Sequence, residues 1–193
     1  MKRICVFCGS SAGSHPGYAE AAKSLGALLA ARGMVLVYGG GNVGLMGAIA
    51  DATLAANGEV IGVIPQFLVR KELAHTGVAD LRVVASMHER KALMAELSDA
   101  FLALPGGYGT WDEFCEVLTW TQLGLQRKPC GILNVRGYYD SLLKLLDHAV
   151  EEQFLRPSHR AMVLADDDAG RLLDRLGQCE IPLVDKLMPR GGA

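Results

Sequence analysis

Apolar residues along the chain fall into short unbroken runs, separated by stretches in which they recur at helical spacing. The runs at 3–8, 34–38, 59–64, 81–85, 100–104, 129–135 and 161–165 have the length and apolar character of strands, and 100–104 reads as a buried one. Between the first two, Ala21, Ala22, Leu25, Leu28 and Leu29 form one stripe of a helix over 18–31, stopped by Gly33. Further helices are expected over 45–56, ending at Asn57-Gly58, and over 87–97. Phe114, Val117, Leu118 and Thr121 share a face of the helix after Pro105, and 138–151 and 169–176 predict two more. Asp166-Asp167-Asp168 offers capping side chains to the last one. Residues 66–80 show no clear periodicity, and a connection of that length is expected to be functional.

Alternating strands and helices of these lengths predict an α/β fold: a Rossmann-like, doubly wound parallel sheet in three α/β/α layers with right-handed crossovers. Neither a repeat nor a linker interrupts the pattern. One domain is therefore expected over residues 1–180, followed by a C-terminal tail, 181–193, whose last residues, 188–193, are expected to be disordered.

Composition narrows the function. Half of the 193 residues are hydrophobic and 21% are charged, which suits a globular chain. A net charge of −2, with no basic block, argues against nucleic acid as a partner. Charged residues such as Arg32 and Glu59 interrupt the apolar segments too early for a bilayer span. Lys2-Arg3 has no signal-peptide core behind it, so no membrane association and a cytoplasmic location are expected. Five cysteines make an odd count, against a disulfide framework. Cys5 and Cys8 form a CxxC inside a strand, where small buried hydrophobes are expected rather than a redox pair. The five histidines show no metal-ligand spacing, and no metal site is expected.

Ligands of doubly wound sheets bind beyond the carboxyl ends of the strands. Gly9-Ser10-Ser11, Gly39-Gly40-Gly41, Arg90-Lys91 and the turn at Pro105 all fall at such ends. There is neither a G-x-G-x-x-G in the first βα unit nor a P-loop lysine motif. Taken singly, Gly39-Gly40-Gly41 could be only a tight turn, and Arg90-Lys91 a solvated helix start. Two cations there nevertheless oppose the helix dipole by about 0.3–1 kcal/mol each, which a shared anion would relieve.

The stretch Pro105-Gly106-Gly107-Tyr108-Gly109-Thr110-Trp111-Asp112-Glu113 joins strand, glycine turn and helix start, leaving backbone amides free for a phosphate. Glu113, Glu116 and Trp120 lie on one stripe of that helix. A phosphate cradle does not need the carboxylate of Glu113. Cleavage of an N-glycosidic bond does, because oxocarbenium charge develops at the anomeric carbon and water must be positioned.

Residues 105–113 match the PGGxGTxxE motif of the Lonely Guy (LOG) family, and Met87-His88-Glu89-Arg90-Lys91 resembles that family's second signature. Cys5 to Ser11, Gly131 to Val135 and Gly137-Tyr138-Tyr139 are similar to it as well. The resemblance implies a cytokinin riboside 5′-monophosphate phosphoribohydrolase, a homodimer with no redox cofactor, acting on AMP or N6-prenylated AMP. It implies catalytic roles for Arg90 and Glu113. It implies substrate contacts at Glu72, Lys91, Gly107, Tyr108, Gly109, Thr110, Trp111, Asp112, Glu113 and Thr119. Gly106, Gly9, Ser10, Gly40 and Gly41 join the expected binding set as members of the glycine turns. Trp111-Asp112 stands where the family often has Leu-Glu, at variable positions of the motif. The family's other label, lysine decarboxylase, finds no support, since nothing marks a lysine for a pyridoxal phosphate Schiff base. The competing expectation is a nucleotide-binding or carrier module on the same fold, without turnover.

Overall fold

The strands are β1 (Arg3–Phe7), β2 (Val35–Tyr38), β3 (Val60–Pro65), β4 (Asp80–Val84), β5 (Ala100–Ala103), β6 (Cys130–Leu133) and β7 (Val163–Asp166). In the computed structural model, which describes residues 1–71 and 73–181, they form one parallel sheet in the order β4-β3-β2-β1-β5-β6-β7. Every residue of β3 and β5 is buried, which is why these strands appear as continuous apolar runs.

Side chains alternate between the two faces of the sheet. On one face Ile4 and Val6 pack with Leu25 and Leu29 of α1 (Pro16–Ala31), Ile49 of α2 (Gly44–Ala55) and Leu172 of the terminal helix. On the other, Cys5 and Phe7 pack with Met94 of α4 (Met87–Leu97) and Phe114 of α5 (Tyr108–Gln122). Phe7 stacks on Phe101 at a centroid distance of 6.0 Å.

Local chemistry starts the helices. His15 caps α1 by accepting from the Gly17 amide at 3.0 Å, with Pro16 in the first turn. Ser86 caps α4 through the Glu89 amide (3.1 Å), and the Glu89 carboxylate accepts in return from the Ala85 amide (2.9 Å). Asp168 caps α8 (Ala169–Gln178) through the Arg171 amide at 2.8 Å.

Several elements differ from the expected ones. Residues 66–80 contain a short helix, α3 (Gln66–Val69), and an antiparallel bridge from Ala74 to Gly41. The helix after β6 starts at Asp140, as α6 (Asp140–Glu151), rather than at residue 138. Arg136 (φ 56°) and Gly137 (φ 70°) are both left-handed, and that geometry cannot continue a right-handed helix. A four-residue helix, α7 (Pro157–Arg160), precedes β7, which begins at Val163 rather than at residue 161. Glu72 and the tail 182–193, with the disorder expected of its end, lie outside the described residues. Among the described residues no helix is long and apolar enough to cross a membrane.

The strand order reverses beside β1. From β1 the chain runs outward through β2, β3 and β4, then crosses back to lay β5 against the other side of β1. That is the topological switch point, and its carboxyl end opens a crevice between the turns that follow β1 and β5.

Candidate active site

Three glycine turns meet at the crevice. The Gly9 amide donates to Pro105 O at 3.0 Å, and Gly9 O accepts from the Leu45 amide at 3.0 Å. A side chain on Gly106 would strike the Thr110 hydroxyl and, at 2.9 Å, the Gly9 nitrogen. One on Gly44 (φ 60°) would strike the Ser10–Ser11 peptide. A pocket of about 300 Å³ lies between Gly9, Ser10, Tyr18, Leu45, Gly106 and Tyr138. At its edge α5 begins from an extended Gly107 with no side-chain cap. The amides of the first turn of α5 have no carbonyl acceptor within the helix, and the positive end of its dipole adds to them. A helix start of this kind is suited to an anion.

Behind the turn lies a buried ion pair. Arg90, in the first turn of α4, is 7% exposed and Glu113 is 6% exposed. Arg90 Nη1 donates to Glu113 Oε1 at 2.6 Å, and Nε donates to the Val63 carbonyl at 3.1 Å. A Cβ at Gly39 would overlap the Arg90 guanidinium, so the glycine at the end of β2 is what admits this side chain. Burial pushes the Glu113 carboxyl above its usual range, and Arg90 pulls in the opposite direction. The same burial, with the Glu113 charge added, pushes the Cys5 and Cys8 thiols up. Both are free and stay protonated, as packing residues rather than nucleophiles.

The other expected residues divide. The Lys91 ammonium sits between Asp112 Oδ2 (3.0 Å) and Glu116 Oε2 (3.1 Å). Burial works against its charge, but these two carboxylates outweigh burial and raise its pKa. Thr110 is buried beside Gly106. Gly107 and Gly109 have open space where a Cβ would stand. Tyr108, 87% exposed, and Trp111 lie edge to face on the outer side of the turn. Thr119 is exposed and donates to the Cys115 carbonyl at 2.8 Å; it is turned roughly 120° round α5 from Glu113. Gly40 (φ 72°) and Gly41 do not line the pocket. They carry a strap: Gly40 O accepts from the His75 amide (2.9 Å), and Leu73 O accepts from the Asn42 amide (3.0 Å). His75 Nδ1 accepts from the Gly77 amide (3.1 Å), which leaves Nε2–H to donate to Asp51 Oδ1 (3.0 Å).

Gly39, Tyr18, Leu45, Tyr138 and His75 were not among the expected site residues. Gly39 opens the glycine run that Gly40 and Gly41 continue. Tyr138 belongs to a signature that carried no assigned role.

Fold and site together define a doubly wound α/β protein that sets a glycine-rich, uncapped helix start beside a buried carboxylate–guanidinium pair. Among solved structures, the molybdenum cofactor binding protein of Rippkaea orientalis superposes with a TM-score of 0.69 at 23% identity, covering 92% of this chain and 97% of that one. The molybdenum cofactor carrier protein of Chlamydomonas reinhardtii gives 0.67 at 19% identity, covering 92% and 96%. At such identities the likeness concerns the fold alone. A family model described as "Possible lysine decarboxylase" matches residues 46–176. A cytokinin riboside 5′-monophosphate phosphoribohydrolase of Arabidopsis thaliana is 53% identical over 176 residues, covering 91% of this chain and 83% of its own length. A second from the same plant is 51% identical over 187 residues, covering 97% and 86%. The chain belongs to the Lonely Guy (LOG) family of cytokinin riboside 5′-monophosphate phosphoribohydrolases.

Proposed function

We propose that this protein hydrolyses the N-glycosidic bond of AMP or N6-prenylated AMP, releasing the free base and ribose 5-phosphate. The observation that carries the proposal is the buried Arg90–Glu113 pair set behind an amide-lined turn at the switch point. The turn amides and the Thr110 hydroxyl hold the 5′-phosphate. That group is remote from the bond being broken and supplies binding energy for orientation. Glu113 stabilises positive charge at the anomeric carbon or positions the attacking water. Arg90 opposes the effect of burial on Glu113 and shields its charge from the phosphate. As the bond from the anomeric carbon to the base nitrogen breaks, water oxygen takes the carbon and a proton goes to the base. The reaction neither oxidises nor reduces, so no redox cofactor is called for.

Lys91 offers no Schiff-base amine, because two carboxylates hold it as an ammonium ion. In this proposal it joins Asp112 in shaping the entrance to the site. Glu72 and Thr119 complete the substrate contacts. The protein acts as a homodimer, for which the exposed Tyr108 and Trp111 on the outer side of α5 supply a face. Five free thiols fit a cytoplasmic location.

The test is incubation with AMP and with isopentenyl-AMP, followed by detection of base and ribose 5-phosphate. Both products are expected from at least one substrate. Nucleotide binding without product from either would remove the hydrolase and leave a carrier.

A further inference from the structure

An amide-lined turn binds an anion only while its carbonyl oxygens point elsewhere. At the end of β5, four successive carbonyls each have a donor. Leu104 O accepts from the Tyr139 hydroxyl at 2.7 Å, and Pro105 O from the Gly9 amide at 3.0 Å. Gly106 O accepts from the Tyr138 hydroxyl at 2.5 Å, and Gly107 O from the Trp111 amide at 3.1 Å within α5. Two of the four donors are adjacent phenols from the β6–α6 connection, 35 and 32 positions along the chain from the carbonyls they reach.

The connection is built to deliver them. Arg136 (φ 56°) and Gly137 (φ 70°) are left-handed and delay α6 until Asp140, so both tyrosines stand in a turn facing β5. The Asn134 side-chain oxygen accepts from the Tyr139 amide at 2.8 Å, and its Nδ2 donates to Asp140 at 2.7 Å. The two rings meet edge to face at 4.9 Å, and Tyr138 meets Tyr18 in the same manner at 6.0 Å. Tyr139 is 2% exposed, and burial pushes its pKa up, so its hydroxyl remains a donor.

The Gly106–Gly107 peptide needs such a restraint. It is flanked by two residues without Cβ atoms, so rotation of the peptide plane meets little steric resistance. A flip would break the bond from Tyr138 to the Gly106 carbonyl and reverse the dipole that this peptide presents to an anion at the turn. The Tyr138 hydroxyl, bonded to that carbonyl, opposes such a flip.

We infer that Tyr138, backed by Tyr139, is a positioning residue for the 5′-phosphate: it locks the Gly106–Gly107 peptide in the orientation that gives the Gly106 carbonyl to the Tyr138 hydroxyl. The inference rests on the phosphate half of the proposed function and is independent of the hydrolytic half. Tyr138→Phe removes the hydroxyl and keeps the ring that lines the pocket; Tyr138→Ala removes both. Ribose 5-phosphate is the probe, titrated by calorimetry, with KM and kcat on isopentenyl-AMP measured alongside.

Tyr138→Phe is expected to weaken ribose 5-phosphate binding about tenfold, the worth of one hydrogen bond, and to raise KM similarly with kcat within about twofold. Tyr139→Phe is expected to weaken binding and also to lower the melting temperature, because it leaves the buried Leu104 carbonyl without its donor. Wild-type affinity in Tyr138→Phe, with loss only in Tyr138→Ala, would reduce the residue to a pocket wall and overturn the inference. Failure of the wild-type protein to bind ribose 5-phosphate would overturn it too. A wild-type protein that binds ribose 5-phosphate and loses it in Tyr138→Phe, yet releases no base, would uphold the lock while removing the hydrolase.

Discussion

Glu113 and Arg90 define each other. Arg90→Ala leaves a buried carboxylate unpaired, a loss of about 3–5 kcal/mol that denaturant unfolding would read directly. Glu113→Gln preserves the volume and removes the charge. It is expected to lower kcat about 10²–10⁴-fold with substrate affinity little changed, which single-turnover base release and direct binding would separate. The acidity of Glu113 predicts opposite pH trends for activity and stability. Burial raises its pKa above 4.5, so activity that needs the carboxylate rises as pH climbs through that raised value. A carboxyl with a raised folded pKa contributes stability fully below the unfolded value, and that contribution is lost as pH rises through the folded one. Activity should therefore climb where stability falls, and the Glu113 part of both slopes should vanish in Glu113→Gln. Both residues were legible in the sequence, as a cation and a carboxylate at helix starts that faced one crevice. Gly39 was not, because its importance is a distance to a side chain 51 positions away. Gly39→Ala is expected to displace the guanidinium and depress kcat/KM while the circular dichroism spectrum stays that of the folded chain.

Elements with an apolar stripe were visible in advance; those held by backbone bonds were not. α7 (Pro-Ser-His-Arg) has no stripe to find, and its start depends on Pro157 in the first turn. The strap at 73–75 gains its order from backbone bonds to Gly40 and Asn42 and from His75 on Asp51. None of these leaves a periodic signature. α6 starts later than its apolar stripe suggests because a left-handed Arg136 cannot be foreseen from residue type. α1 and α2 were expected, but their closeness was not. A Cβ on Gly26 would stand 2.5 Å from the Ile49 carbonyl and 2.8 Å from the Thr53 hydroxyl. Gly26→Ala should accordingly destabilise the fold by about 1–3 kcal/mol through overpacking, with kcat per folded molecule unaltered.

For the molecule as a whole, alternation of strands and helices was enough to specify a parallel sheet covered on both faces. It could not specify the order β4-β3-β2-β1-β5-β6-β7, since an apolar run does not encode its neighbours, which are chosen by packing and crossover hand. The order matters because only the reversal at β1 brings Gly9 against Pro105. On the outer surface, Trp111→Asp is expected to shift sedimentation from dimer toward monomer if the homodimer uses the α5 face.

The interlocking of the glycine turns has a consequence for any attempt to redirect this scaffold. Gly9, Gly44 and Gly106 each abut the backbone of another turn, so a residue inserted or a side chain added in one displaces a second. Such a site has no modular loops to graft. Variation in substrate must enter through a side chain that lines the pocket, such as the half-buried Tyr18; Leu45 lines it too but belongs to the buried core. A library aimed at new substrates should randomise Tyr18 and leave the glycines and Leu45 untouched.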